Sequence, residues 1–273
     1  MREQKQGVLV IIGGAEDKKN NCTILNKTAE LAGGKDGKVV VLTVATEYPS
    51  QVGKEYKYLF NQLGMSNIDA LHIETREESN DEEKQQRLRE ASCVFFTGGD
   101  QLKITSLIGG TAIERLLKDA FSMGLIIAGT SAGASVMSET MITSGLEDDA
   151  PKKCTVKMAP GLGLIQGVVI DQHFAQRGRI GRLLAAIAQN PAVMGIGLDE
   201  DTAIVVKPNN TFEVIGSNAV TILDGMNSSY SNVSESKPDD ILAMTDITLH
   251  ILPQNFEFDL TTRSPILRRF IDC

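Results

Sequence analysis

Leu125-Ile-Ile-Ala-Gly-Thr-Ser-Ala-Gly133 joins a short apolar run to a G-x-S-x-G motif. An unbroken apolar run closed by glycine predicts a strand covered on both faces, as in a parallel sheet. The motif predicts a sharp turn that lifts the Ser131 hydroxyl above the sheet, followed by a helix over Ala132 to Glu139. Its glycines permit the crowded backbone, and the N–H of Ala132 is placed to help form an oxyanion hole. Alone, the motif names a nucleophile and no substrate.

The same texture extends in both directions. Val8 to Ile12 stops at Gly13-Gly14, Val39 to Val44 forms a second apolar run, and Ile68 to Ile73 a third. Between them, Tyr56, Leu59, Phe60 and Leu63 share one face of a helical stretch over Lys54 to Leu63. A charged segment, Glu77 to Glu90, reads as a solvated helix leading to Cys93-Val-Phe-Phe96 and Gly98-Gly99. This alternation predicts an α/β fold, a mainly parallel sheet with helices on both faces. Past about residue 195, Thr202 to Val206, Thr211 to Ile215 and Ala219 to Leu223 are short β-like runs separated by turn residues, an antiparallel pattern. Residues 226–240 read as a loop, and Ile241 to Leu252 with Phe256 to Leu260 add one or two late strands. No linker divides the chain, so one domain over 1–273 is expected, with a parallel core over 7–200 and an antiparallel extension over 201–260.

The 273 residues are 42% hydrophobic and 23% charged, an ordinary globular composition long enough to need no disulfide or metal staple. A formal charge of −8, from 27 Lys+Arg against 35 Asp+Glu, argues against a nucleic-acid partner, because that binding rests on clustered positive charge. Four scattered cysteines, Cys22, Cys93, Cys154 and Cys273, form no C-x-x-C pair and read as cytosolic thiols. With no export signal or membrane-spanning run, a cytoplasmic location and no membrane partner are expected.

A nucleophilic serine needs a base, and only His72, His173 and His250 are available. His173 ends the run Val168-Val-Ile-Asp-Gln-His173, so its imidazole would emerge at a strand end. His250 alternates with apolar neighbours as on the solvent face of a strand, and His72 precedes Ile73 in a strand near the middle of the sheet. The acid orienting the base stays open between Glu200, Asp171 and the run Glu147, Asp148 and Asp149, which reads better as a solvated patch. Thr97-Gly-Gly-Asp-Gln101 admits two readings: a second oxyanion donor from Gly99, or a glycine turn with Asp100 capping a helix. Arg177, Arg179 and Arg182 crowd near His173 in an acidic chain, and their planar forks suit carboxylates.

Together, Gly129-Thr-Ser-Ala-Gly-Ala134, Asp171-Gln-His-Phe174 with its Arg-x-Arg-x-x-Arg, Ala159-Pro-Gly-Leu-Gly163, Thr97-Gly-Gly-Asp-Gln101 and Gly195-Ile-Gly-Leu-Asp-Glu-Asp-Thr202 resemble the cyanophycinases. These are serine peptidases related to dipeptidase E, with a flavodoxin-like fold similar to class I glutamine amidotransferases. The resemblance runs from about Gly7 to Leu252, is weakest over Gly145 to Lys157, and leaves Ile266 to Cys273 unmatched. It implies hydrolysis of cyanophycin, a poly-aspartate polymer bearing an arginine on each β-carboxyl group, to β-Asp-Arg dipeptides. It implies Ser131 as nucleophile, His173 as base and Glu200 as third member, with Gln101, Asp171, Gln172, Arg177, Arg179 and Arg182 lining the substrate cleft. No cofactor or metal is implied, and the sequence leaves a homodimer open. Rival readings are a dipeptidase acting on small Asp-X peptides, an esterase using His250 with Asp224 or Asp240, and a silent binder of charged polymers.

Overall fold

Residues 6–147 and 149–267 are described by the computed structural model. The elements are β1 (Leu9–Ile12), α1 (Thr23–Leu31), β2 (Lys38–Leu42), α2 (Pro49–Gln62), β3 (Asn67–Leu71), α3 (Glu82–Arg89), β4 (Cys93–Phe96), α4 (Gln101–Ile108), α5 (Ala112–Ser122), β5 (Ile126–Thr130) and the short α6 (Ala132–Ser135). There follow β6 (Thr140–Gly145), β7 (Val156–Pro160), β8 (Val168–Gln172), α7 (Ile180–Gln189), β9 (Met194–Leu198), β10 (Thr202–Val206), β11 (Thr211–Gly216), β12 (Val220–Asp224), β13 (Thr248–Leu252), β14 (Glu257–Asp259) and β15 (Ser264–Ile266).

A nine-stranded sheet runs in the order β15-β14-β11-β10-β1-β5-β4-β2-β3. From β1 to β3 every pairing is parallel, and from β1 to β15 every pairing is antiparallel. The expected fold class holds: a parallel core joined to antiparallel strands. Alternate residues face opposite ways. Val10, Ile12, Val39, Val41 and Phe95 pack on α1 and α2 through Ile24, Leu25, Tyr56 and Phe60, whereas Leu9, Ile11, Val40, Val94 and Phe96 pack with Ile104, Ile108 and Leu117 of α4 and α5.

Three local expectations are corrected. The strands around His173 and Gly195, which read as part of the parallel core, instead form a second sheet in the order β13-β12-β9-β8, in which only β8 and β9 are parallel. The helix over Ala132 to Glu139 stops at Ser135, because the carbonyls of Val136, Met137 and Ser138 accept N–H groups from Leu162, Leu164, Ile165 and Gly163 instead of continuing the helix. His72 follows β3 at the sheet edge, not its middle, where its ring Nδ1 lies 3.2 Å from the Thr43 carbonyl. Among the described residues no helix is long and apolar enough to cross a membrane.

α7 covers the outer face of the second sheet and is tied to it by charge as well as by Leu183, Ala186 and Ile187. Asp171 on β8 is fully enclosed and takes a two-pronged bond from Arg182, with Nε at 2.7 Å from Oδ2 and Nη2 on Oδ1. Arg179 Nη1 lies 3.5 Å from the same Oδ1. Removing one partner of such a pair leaves buried charge uncompensated, at a cost of about 3–5 kcal/mol. Asp171→Ala is therefore expected to lower the unfolding free energy by about that much, read as a fall in the urea denaturation midpoint, and an unchanged midpoint would contradict the role assigned to the pair.

Candidate active site

Four turns converge at the carboxyl ends of the strands, where α/β sheets bind their ligands. Ser131 follows β5 with φ 53 and ψ −108, a conformation that L residues avoid and that costs about 1–3 kcal/mol. The turn is held by close packing behind it: a Cβ on Gly133 would come within 2.5 Å of the Phe96 carbonyl oxygen, so only glycine lets α6 settle on the end of β4. His173 follows β8 with φ 50, and Asp201, directly after Glu200, has φ 48.

Three consecutive carbonyls bind these turns together. After β1, the Ile12 oxygen accepts the Ser131 N–H at 3.0 Å, the Gly13 oxygen the His173 N–H at 2.8 Å, and the Gly14 oxygen the Asp201 N–H at 2.9 Å. Gly14 adopts φ 100 under the imidazole, where a Cβ would lie 2.4 Å from the ring. The result is an in-line chain. Ser131 Oγ is 3.1 Å from His173 Nε2, and His173 Nδ1 is 2.7 Å from Glu200 Oε1. The Glu200 backbone is pinned by its N–H donating to Gln176 Oε1 at 2.9 Å and its carbonyl accepting from Asn218 Nδ2 at 2.8 Å. Sequence reading passed over Gly14, Gln176 and Asn218, for which the only local signal was the glycine pair after the first strand.

Burial pushes the His173 imidazole below its ordinary value of 6.5, the Glu200 hydrogen bond opposes this, and the nearby Arg177 charge adds to it. The lowered value favours the neutral ring, in which Nδ1–H donating to Glu200 would leave Nε2 as an acceptor facing the Ser131 hydroxyl. Among the described residues nothing takes the N–H of Gly99 or Ala132. The Gly98-Gly99 turn abuts the serine, with a Cβ on Gly98 placed 3.5 Å from Ser131 Cβ. Asp100 caps α4 by accepting the Leu102 N–H at 2.8 Å, the helix-cap reading of that motif.

The other expected residues divide by what they touch. Gln101 Nε2 donates to the Ile142 carbonyl at 3.0 Å, fastening α4 to β6. Arg179, its side chain 5% exposed, donates to the Gln172 carbonyl at 2.5 Å, to Gln172 Oε1 at 3.0 Å and to Glu147 Oε1 from Nη2 at 2.5 Å. Arg177 is half-exposed and reaches the same Glu147 oxygen at 3.4 Å. Glu147 is exposed, as a solvated acid would be, but it also pairs with both arginines, and the Arg179 hydrogen bond holds its carboxyl below the usual range. Asp149 pairs with Lys152 at 2.7 Å, and Asp148 lies outside the described residues. Of the acids weighed for His173, Glu200 is the one bonded to Nδ1, whereas Asp171 is held behind the arginines.

His250 belongs to β13, at the edge of the second sheet. Its ring meets Phe258 edge-on at 5.6 Å, whereas Leu249 and Ile251 are 50% and 62% exposed, the reverse of the expected faces. Asp224, its proposed partner, accepts from Arg263 at 2.7 Å.

Peptidase family S51 matches residues 9–215. A cyanophycinase from Geminocystis herdmanii is 35% identical over 267 residues, 97% of this chain and 98% of that protein. One from Thermosynechococcus vestitus is 36% identical, covering 94% of this chain and 80% of that protein. Among solved structures, a peptidase from an acI-B1 Actinobacterium superposes with a TM-score of 0.66 at 21% identity, over 90% of this chain and 98% of that one, a likeness of fold. With the family pattern spanning the strands that carry Ser131, His173 and Glu200, and relatives along nearly the whole chain, this protein belongs to peptidase family S51.

Proposed function

We propose that this chain is a serine peptidase that degrades cyanophycin to β-Asp-Arg dipeptides, with Ser131 as nucleophile, His173 as base and Glu200 as the acid that orients it. The in-line chain of 3.1 Å and 2.7 Å contacts carries the reading, since nucleophile, base and orienting group lie within hydrogen-bond reach of one another. The substrate class rests on the cyanophycinase relatives.

His173 Nε2 takes the Ser131 proton as Oγ attacks a carbonyl of the aspartyl backbone. The N–H groups of Gly99 and Ala132 receive the developing oxyanion, each such donor contributing about 3–4 kcal/mol to the transition state. The imidazolium, stabilised by Glu200, returns the proton to the leaving nitrogen, and water then releases the acyl group by the same path. Arg177 and Arg179 recognise a carboxylate that the polymer's arginines leave free. In support, the two guanidinium groups already share one carboxylate, that of Glu147. Asp171 and Gln172 hold Arg179 and Arg182 in place from behind, and Gln101 shapes the neighbouring wall.

Ser131→Ala is expected to fold normally and lose at least about 10³-fold in cyanophycin turnover, read by mass detection of β-Asp-Arg. Cleavage of soluble Asp-X dipeptides in preference to the polymer would replace this reading with a dipeptidase. For pH, the base works when neutral, and a lowered pKa makes it neutral from a lower pH upward. Thus kcat/KM should rise with pH through an apparent pKa below 6.5 and level off near neutrality. Glu200→Gln removes the contact that raises that pKa, so the acid limb should move further down. A limb at or above 6.5 would contradict the assignment of the base. Glu147→Gln removes a competitor for the arginine fork, so KM for the polymer should fall with kcat held. A raised KM would mean that Glu147 supports substrate binding.

A further inference from the structure

Glu16, in the loop that supplies the three carbonyls, is 4% exposed, and the mechanism does not use it. Each carboxylate oxygen accepts a hydroxyl from a different element. Oε1 accepts from Tyr56 Oη of α2 at 2.5 Å, and Oε2 accepts from Thr130 Oγ1, the last residue of β5, at 2.6 Å. Lys18 Nζ lies 3.9 Å from Oε1 and 4.4 Å from the centre of the Tyr56 ring, closing the outer side. Thr130 is itself 4% exposed and directly precedes Ser131.

From these contacts we infer that Glu16 is a positioning residue: a two-armed carboxylate clamp that holds the strained nucleophile turn against the loop after β1, whose carbonyls also accept the His173 and Asp201 N–H groups. The inference rests on Ser131 being the nucleophile. A strained backbone persists only where its surroundings over-determine it. The Ile12 carbonyl fixes the N–H of Ser131, and Glu16 fixes the side chain one residue earlier, so the turn is held at two successive residues from one loop. The residue type matters. A carboxylate offers acceptors on both oxygens, so it satisfies two O–H donors at once, whereas an amide offers one oxygen and presents N–H groups at the other position. Aspartate would be one methylene short of spanning the loop, α2 and β5. Without the clamp Ser131 Oγ is free to drift from Nε2, and a misplacement of about 1 Å costs about 10²-fold in rate.

The test compares Glu16→Gln, Thr130→Val and Thr130→Ser in the full chain. It measures kcat and KM on cyanophycin, the rate of covalent labelling of Ser131 by a fluorophosphonate, and thermal melting. Glu16→Gln and Thr130→Val should remain folded and lose about 10- to 100-fold in both kcat and labelling rate, with KM little changed. Thr130→Ser, which keeps the hydroxyl, should retain most of both rates, and the Glu16→Gln/Thr130→Val double variant should be no slower than the slower single one. Wild-type rates in folded Thr130→Val, or an equal loss in Thr130→Ser, overturn the clamp. Labelling of wild-type Ser131 without cleavage of cyanophycin would refute the substrate reading while the labelling rates still decide the clamp. No labelling of the wild-type chain overturns both.

Discussion

Three neighbouring peptide carbonyls, those of Ile12, Gly13 and Gly14, hold the site together. Ser131, His173 and Glu200 come from three turns on two sheets, and each of these turns contains a residue with positive φ. None of those turns would keep its geometry alone, because left-handed backbone at a non-glycine residue is uphill. One loop at the end of the central strand β1 satisfies one N–H from each turn, so β1 acts as the common reference for Ser131, His173 and Glu200. Its position between the parallel strand β5 and the antiparallel strand β10 explains how it reaches both the Ser131 turn and the Glu200 turn.

A second constraint is charge. The chain is acidic overall, yet three arginines, Arg177, Arg179 and Arg182, are gathered where α7 meets β8. Burying such groups is favourable only when every charge is paired and hydrogen-bonded. Asp171 meets Arg182 and Arg179 from within, and Glu147 meets Arg179 and Arg177 from without. The inner pairs give the cluster rigidity. Of the outer contacts, the one between Arg177 and Glu147, exposed on both sides at 3.4 Å, is the weaker, since solvent-exposed ion pairs contribute little.

Much of this was legible in the sequence. Val8 to Ile12, Val39 to Val44 and Cys93 to Phe96 read as strands because helices or the second sheet cover both faces, leaving an unbroken apolar run in the chain. The elbow at Ser131 was equally legible, since its glycines answer to a crowding set by the motif itself. The second sheet was not, because β8 has the same apolar texture as the strands of the first and its partner is chosen by packing. His250 misled for a related reason: alternation distinguishes two faces without saying which is inside, and Phe258 of a remote strand decides that.

The sequence by itself determined the strand-and-helix alternation, the glycine-flanked turn at Ser131 and the residues able to serve as base and cationic contacts, because these depend on local backbone preference and side-chain chemistry. Only the tertiary structure decided which acid meets His173, that Glu147 occupies the arginine fork, and that Glu16 clasps Thr130 across 114 positions of chain. Hydrogen bonds between distant turns form only once the sheets have been assembled. No local pattern records which of several acids the folded chain brings within about 3 Å of a given nitrogen.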